Sequence, residues 1–339
     1  MVYIVNQSKR GNMSIEHDLN LEEALKTKGV KTQGFVNIAI KADRTHVRIP
    51  VFVITGEEEG PTILVDACTH GDEYEGAEAI INVASNLKPS DIKGTFIGIP
   101  ALNFDAFNAV SRISPIDFTN LNRIFPGNPN SFITQRVADT YIQSFVKNAD
   151  FIISFHGGGD VLYLESLVGY QPPTDDLGKK TYEMAKAFGT EVIWRMQNLP
   201  FNGVSVIEAR KLGIPAILPE IGSHCTRQYD RQKNIEVCAN GILNVMSHLG
   251  ITREQHKTQV TSHIDTELHY VHSDFGGIHT PLKKSMGMVE EGEVLANITD
   301  VFGEELGKVY APFDGIVLGY WSIPIIQPGD WSYLFAKLL

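Results

Sequence analysis

Cysteine is scarce in this chain: three in 339 residues, at Cys68, Cys225 and Cys238, widely spaced and with no CxxC pair. An odd, scattered set offers no disulfide framework and points to a reducing compartment, so a cytoplasmic location is expected. Long apolar runs are missing too. None approaches the ~20 residues that span a bilayer, and the first twenty residues mix polar and charged groups without the apolar stretch of a signal peptide. Positive charge is the minority sign, 29 Lys and Arg against 40 Asp and Glu for a net −11, and no basic run stands out. That excludes nucleic acid and anionic membrane as expected partners, because both demand a basic surface. There is no GxSxG elbow, P-loop or GxGxxG fingerprint, so serine hydrolase, NTPase and dehydrogenase chemistry lack their usual carriers. Repeats and low-complexity segments are also absent.

What is present reads as an ordinary globular protein, 43% hydrophobic and 20% charged, long enough for one large domain and a small one. Residues 32–54 alternate polar and apolar as strands do. Beyond them, short apolar strands (63–70, 96–100, 150–156, 191–196, 214–220) alternate with helical patterns (74–87, 133–147, 177–188, 205–212, 227–249). Such alternation implies an α/β fold, a mixed and mostly parallel sheet covered by helices on both faces. Residues 103–131 form a long irregular stretch, and loops of that length tend to be functional. From Thr261 onward the text turns to short β segments broken by glycine. The predicted division is a catalytic domain over 1–254, with a β segment at 1–55, and an all-β module over 255–339. The boundary falls in the polar stretch 252–259.

Polar residues collect at the ends of the apolar strands. His70 closes one, Glu73 follows three residues later in THGDEYEG, His156 closes another ahead of three glycines, and Glu220 ends a third. Ligands in open α/β sheets bind beyond the carboxyl ends of the strands. Two imidazoles and a carboxylate with an open fourth position form a set used for catalytic zinc. Glu220 is then the group that takes a proton from an activated water and passes it to the leaving amine. In the long loop, Asn122–Arg123 offers an amide and a forked guanidinium suited to a carboxylate, and Arg112 a charge for the oxyanion. Taken singly, each has a plainer reading, as a solvated turn or a loop brace. The histidines at 263, 269 and 272 alternate along a strand and need no metal to explain them.

Four motifs in order, THGDEYEG, NLNRIFPG, FHGGG and PAILPEIG, resemble those of the succinylglutamate desuccinylase/aspartoacylase family of the zinc carboxypeptidase-like superfamily. The GDEYEG form and the appended β module look most like the bacterial branch that includes N-acetyl-diaminobutyrate deacetylase. The resemblance implies one zinc ion per chain held by His70, Glu73 and His156, with Glu220 as general base and acid. It further implies Asn122 and Arg123 on the substrate carboxylate and Arg112 on the scissile carbonyl. The activity implied is removal of a short acyl group from an N-acyl amino acid or similar small carboxylate. Two alternatives stay open: a carboxypeptidase acting on short peptides, and a catalytically silent binding relative. A homo-oligomer is compatible with either. The chain departs from the family twice. Ser154 stands two places before His156, where relatives carry an acid. The C-terminal piece is similar to a biotinyl/lipoyl barrel, chiefly in VYAPFDGIVLG and IQPGDWSYLFA, yet has Glu304 and Glu305 where a carrier lysine would stand.

Overall fold

The computed structural model describes residues 18–197, 202–223 and 231–338. A short helix α1 (Leu21–Lys26) leads into the antiparallel pair β1 (Lys31–Ile40) and β2 (His46–Thr55). The central part follows with β3 (Thr62–Asp66), α2 (Glu75–Asn86), β4 (Thr95–Ile99), α3 (Phe104–Asn108), α4 (Ile133–Thr140), β5 (Phe151–Ser154), β6 (Leu162–Leu164) and β7 (Leu167–Tyr170). Then come α5 (Asp176–Phe188), β8 (Val192–Arg195), α6 (Ser205–Lys211), β9 (Ala216–Glu220) and α7 (Arg231–His248). The C-terminal region is all β: β10 (Ile264–His272), β11 (Gly277–Pro281), β12 (Met288–Val289), β13 (Val294–Thr299), β14 (Glu305–Tyr310), β15 (Gly315–Trp321), β16 (Ile325–Ile326) and β17 (Trp331–Leu338). No described helix is long and apolar enough to cross a membrane.

The strands at the heart of the sheet are apolar on both faces because both faces are covered. Along β3, Ile63 and Val65 enter the core shared with α2, α5 and α7, while Leu64 enters the opposite core with α4 and α6. Ile153 and Ile152 of β5, and Ile217 and Leu218 of β9, divide the same way. Each fully buried aliphatic side chain of this kind contributes about 1.5–3 kcal/mol. β4, β3, β5 and β9 are neighbours in that order and all parallel, and β7 turns antiparallel to β9.

Chain order fixes where a crevice can open. From β3 the chain moves to β4 on one side and later returns to β5 on the other, so the connections leave in opposite directions. The carboxyl ends of β3 and β5 are the topological switch point, where open α/β sheets bind ligands.

The C-terminal β region is joined to this sheet. Ile264–Thr266 of β10 run parallel to Val192–Trp194 of β8, and Gly319–Trp321 of β15 pair antiparallel with Leu162–Leu164 of β6. The described residues thereby form a 13-stranded sheet that continues through β10, β17, β15 and β12, with a separate 4-stranded sheet of β14, β13, β11 and β16. β6 and β7, in LYLESLVGY, are strands that the sequence pattern does not indicate. The start of the 227–249 helix lies outside the described residues, as do Cys225 and the beginning of the 1–55 segment.

Candidate functional site

β3 ends at Asp66, and the next residues form a tight buried turn. Cys68 takes a positive φ of 53°, and its thiol donates to the carbonyl oxygen of Glu73 at 3.0 Å. The Gly71 amide donates to the Ser111 carbonyl at 3.0 Å, tying the turn to the long loop. At Gly71 only hydrogen fits, since a Cβ would stand 2.1 Å from the backbone carbon of Ala106. At Gly159, φ is +56°, and a Cβ would meet the Asp72 carboxylate at 2.6 Å. Gly71 is therefore demanded by close backbone approach, and Gly159 by its left-handed φ and the Asp72 carboxylate against it.

These turns bring together the three residues that the sequence singled out. His70 Nδ1 lies 2.9 Å from Glu73 Oε1, His156 Nδ1 lies 2.9 Å from Glu73 Oε2, and the two Nδ1 atoms are 3.3 Å apart. All three residues are buried, with one ligand atom each inside a 4.8 Å span. They are also the only group of this kind among the described residues. The donor set fits zinc: two zinc bonds of about 2.0–2.1 Å at a tetrahedral angle put their ligand atoms about 3.3 Å apart. The far edges of the rings are held as well. His70 Nε2 is 3.2 Å from Asn120 Oδ1, and His156 Nε2 is 3.4 Å from Asn122 Nδ2. Polar contacts of this sort orient a ligating imidazole.

Charge is concentrated here. Burial pulls His70 down to about 4, with Glu73 opposing and the Arg112 charge adding to the fall. Burial pulls on His156 too, but Glu73 beside it leaves it above its ordinary value. Burial raises Glu73, and the two imidazoles more than reverse that, holding it well below the carboxylate range. Arg112 donates to Glu73 Oε1 at 2.8 Å and has a half-exposed side chain, so it stands at the rim.

Glu220 lies beside His156 across neighbouring strand ends: the His156 amide donates to the Pro219 carbonyl at 2.8 Å, and the Ile221 amide to the His156 carbonyl at 2.9 Å. Burial pushes its carboxyl up to about 8, opposed by His156, with Glu73 adding to the rise. Asn122 is buried, and its Oδ1 also accepts from the Ser205 amide at 3.3 Å, so its amide bridges the second histidine and the start of α6. Arg123 donates to the Asn122 carbonyl at 2.7 Å and faces the same cavity. All seven predicted site residues line one cavity of about 70 Å³.

The serine two places before His156 acquires a partner. Ser154 pairs with Asp66 across the β3–β5 ladder, and its hydroxyl donates to Asp66 Oδ1 at 2.9 Å; the Tyr141 hydroxyl donates to Oδ2 at 2.7 Å. The acid stands on the neighbouring strand, fully buried, and burial raises it to about 6. Sequence reasoning missed Asp66, although an aspartate inside the apolar run ILVDA was a visible signal. It also missed Asn120, and it missed Tyr270 of β10, a partly buried phenol that lines the cavity near Glu220 and Arg123.

A model of the succinylglutamate desuccinylase/aspartoacylase catalytic domain matches residues 59–249. The chain belongs to this family of deacylases. It is 30% identical over 317 residues to the N-alpha-acetyl-L-2,4-diaminobutyric acid deacetylase of Halomonas elongata, covering 90% of this chain and 91% of that one. Among solved structures, the product-bound ectoine utilization protein EutE (DoeB) of Ruegeria pomeroyi superposes with a TM-score of 0.85 at 26% identity, covering 92% of this chain and 96% of that one. A succinylglutamate desuccinylase of Silicibacter sp. superposes with a TM-score of 0.82 at 25% identity, covering 93% and 97%. The family member has both expected parts, the helix-covered mixed sheet and the C-terminal β region.

Proposed function

We propose that this deacylase-family chain is a zinc-dependent amidohydrolase that removes a short acyl group from an N-acyl amino acid or a similar small carboxylate. The observation that carries the reading is the convergence of His70, Glu73 and His156, buried, with the Glu220 carboxyl beside them at one end of a single cavity. When bound, zinc supplies Lewis acidity, polarising a carbonyl and making water a better acid. The protein's own groups do the rest. Arg123, with Asn122 behind it, takes the substrate carboxylate and sets the amide across the ligand group. Arg112 sits at the rim, where it places positive charge near the oxygen that becomes negative as water adds to the carbonyl carbon. Glu220 accepts the proton of that water and returns it to the amide nitrogen as the C–N bond breaks, releasing acid and amine. A carboxyl whose burial raises its pKa toward neutrality is suited to both halves of that shuttle.

A cavity walled both by the ends of β3, β5 and β9 and by the C-terminal β region favours a small substrate over a peptide, whose further residues would have to leave past Arg112 at the rim. The test is dialysis against a strong chelator, followed by assay of N-acyl amino acids and short peptides side by side. Amide hydrolysis should vanish and return with one equivalent of zinc, and the N-acyl compounds should outrun the peptides. Full activity in metal-free protein, or faster cleavage of peptides, would overturn the reading.

A further inference from the structure

The apolar part of the cavity lining has a different character from the ligand group. Its described wall is built from Leu162 and Leu164 of β6, Trp194 of β8, Leu218 of β9, Leu268 of β10 and Trp331 of β17. Two of these, Leu268 and Trp331, come from the C-terminal β region. Among the described residues lining the cavity, the only carboxylates are Glu73 and Glu220. Glu73 is fully engaged, with Oε1 on His70 and Arg112 and Oε2 on His156. Glu220 is assigned to the proton shuttle. A substrate side chain ending in an ammonium group would leave water and find leucine and the rings of Trp194, Trp331 and Tyr270, whose cation–π attraction of roughly 2 kcal/mol falls short of the desolvation penalty unless a carboxylate counter-charge is supplied.

We infer that the substrate carries a compact, uncharged apolar group against this wall, and that the wall residues Leu268 and Trp331 make the C-terminal β region a determinant of specificity. This rests on the amidohydrolase reading and goes beyond it by naming the substrate class. The apolar group can sit on either side of the scissile amide, as a branched amino-acid side chain or as a short branched acyl chain. The same wall serves both. An apolar group of four carbons moved from water to such a wall favours its substrate about 10- to 100-fold over a polar one.

The experiment is a kcat/KM panel on zinc-loaded full-length protein: N-acetylleucine, N-isovalerylglycine, N-alpha-acetyl-diaminobutyrate and N-acetylaspartate. One or both of the first two should exceed the others by about 10-fold or more, and the order between the two says which side of the amide meets the wall. Equal or faster turnover of the diaminobutyrate compound overturns the inference and leaves the amidohydrolase reading intact. If no compound is hydrolysed, the amidohydrolase reading fails. The wall is then judged by tryptophan fluorescence, since Trp194 and Trp331 both face the cavity: quenching by N-acetylleucine at lower concentration than by the diaminobutyrate compound supports it, and the reverse order refutes it. Leu268→Glu, which places an anion in the wall, should move preference toward the ammonium-bearing substrate by about 10-fold. Leu268→Ala keeps the question answerable if that variant does not fold; widening the wall should shift the optimum toward a bulkier apolar group, and an unchanged profile counts against the assignment.

Discussion

The two halves of the cavity are built on opposite terms. One gathers two imidazoles, two carboxylates and two guanidiniums around the ends of β3, β5 and β9, with His70, Glu73 and His156 buried and Arg112 half-exposed at the rim. The other is leucine and tryptophan from β6, β8, β10 and β17, and it merges with the core on the α4 and α6 side of the sheet. The charged half holds groups at protonation states they would not keep in water; the apolar half lowers the free energy of the fold. Function and stability should therefore separate along the cavity, with turnover and pH dependence confined to the charged half and pH-independent stability to the other.

The sharpest division concerns Glu220. Glu220→Gln removes the shuttle without altering size, so kcat should fall about 10²- to 10⁴-fold while zinc content, measured on the purified protein, stays at one per chain. Retained turnover would move the acid–base role elsewhere. On the apolar side, Leu167→Ala truncates a fully buried side chain of β7. It should lower unfolding free energy by about 2–5 kcal/mol, equally at pH 5 and pH 7, in denaturant titrations. A loss that changes with pH would mean the two halves are coupled.

Asp66 makes the complementary case. Burial raises its carboxyl from 3.8 to about 6 despite hydrogen bonds from Tyr141 and Ser154. An acid that holds its proton more tightly when folded stabilises the native state only while protonated there. Its contribution thus falls as pH rises from about 4 to about 6 and stays low above that. Asp66→Asn removes the titration, so wild-type stability relative to the variant should drop by up to about 3 kcal/mol between pH 4 and pH 7. A flat difference would show that the hydroxyl pair already keeps Asp66 charged at low pH.

The same contrast explains what could be read beforehand. Charged residues interrupting apolar strands stand out in a sequence, and His70, Glu73, His156 and Glu220 were found that way; the structure brings them together. Leu268 and Trp331 look like any strand residues, because an apolar side chain facing a cavity and one facing a core share a pattern. Pairing across long separations is also invisible locally. Nothing in IDT (264–266) says that it will lie against VIW (192–194), yet that junction carries the C-terminal wall to the site. Ser154 read alone was a lost acid; only the β3–β5 register shows Asp66 opposite it.

Gly71 supplies the mildest test, on the seam between turn chemistry and packing. Its φ is not in the left-handed region, so backbone preference does not require glycine there. What requires it is the Ala106 carbonyl, whose carbon and oxygen would stand 2.1 and 2.3 Å from an added Cβ, on a backbone that has no side chain to rotate away. Gly71→Ala must displace either α3 or the turn holding His70 and Glu73, which overpacking studies put at about 1–3 kcal/mol. If α3 yields, stability falls and zinc affinity is unchanged. If the turn yields, zinc affinity falls with it, and a calorimetric zinc titration beside the melting curve tells which of the two segments is the firmer.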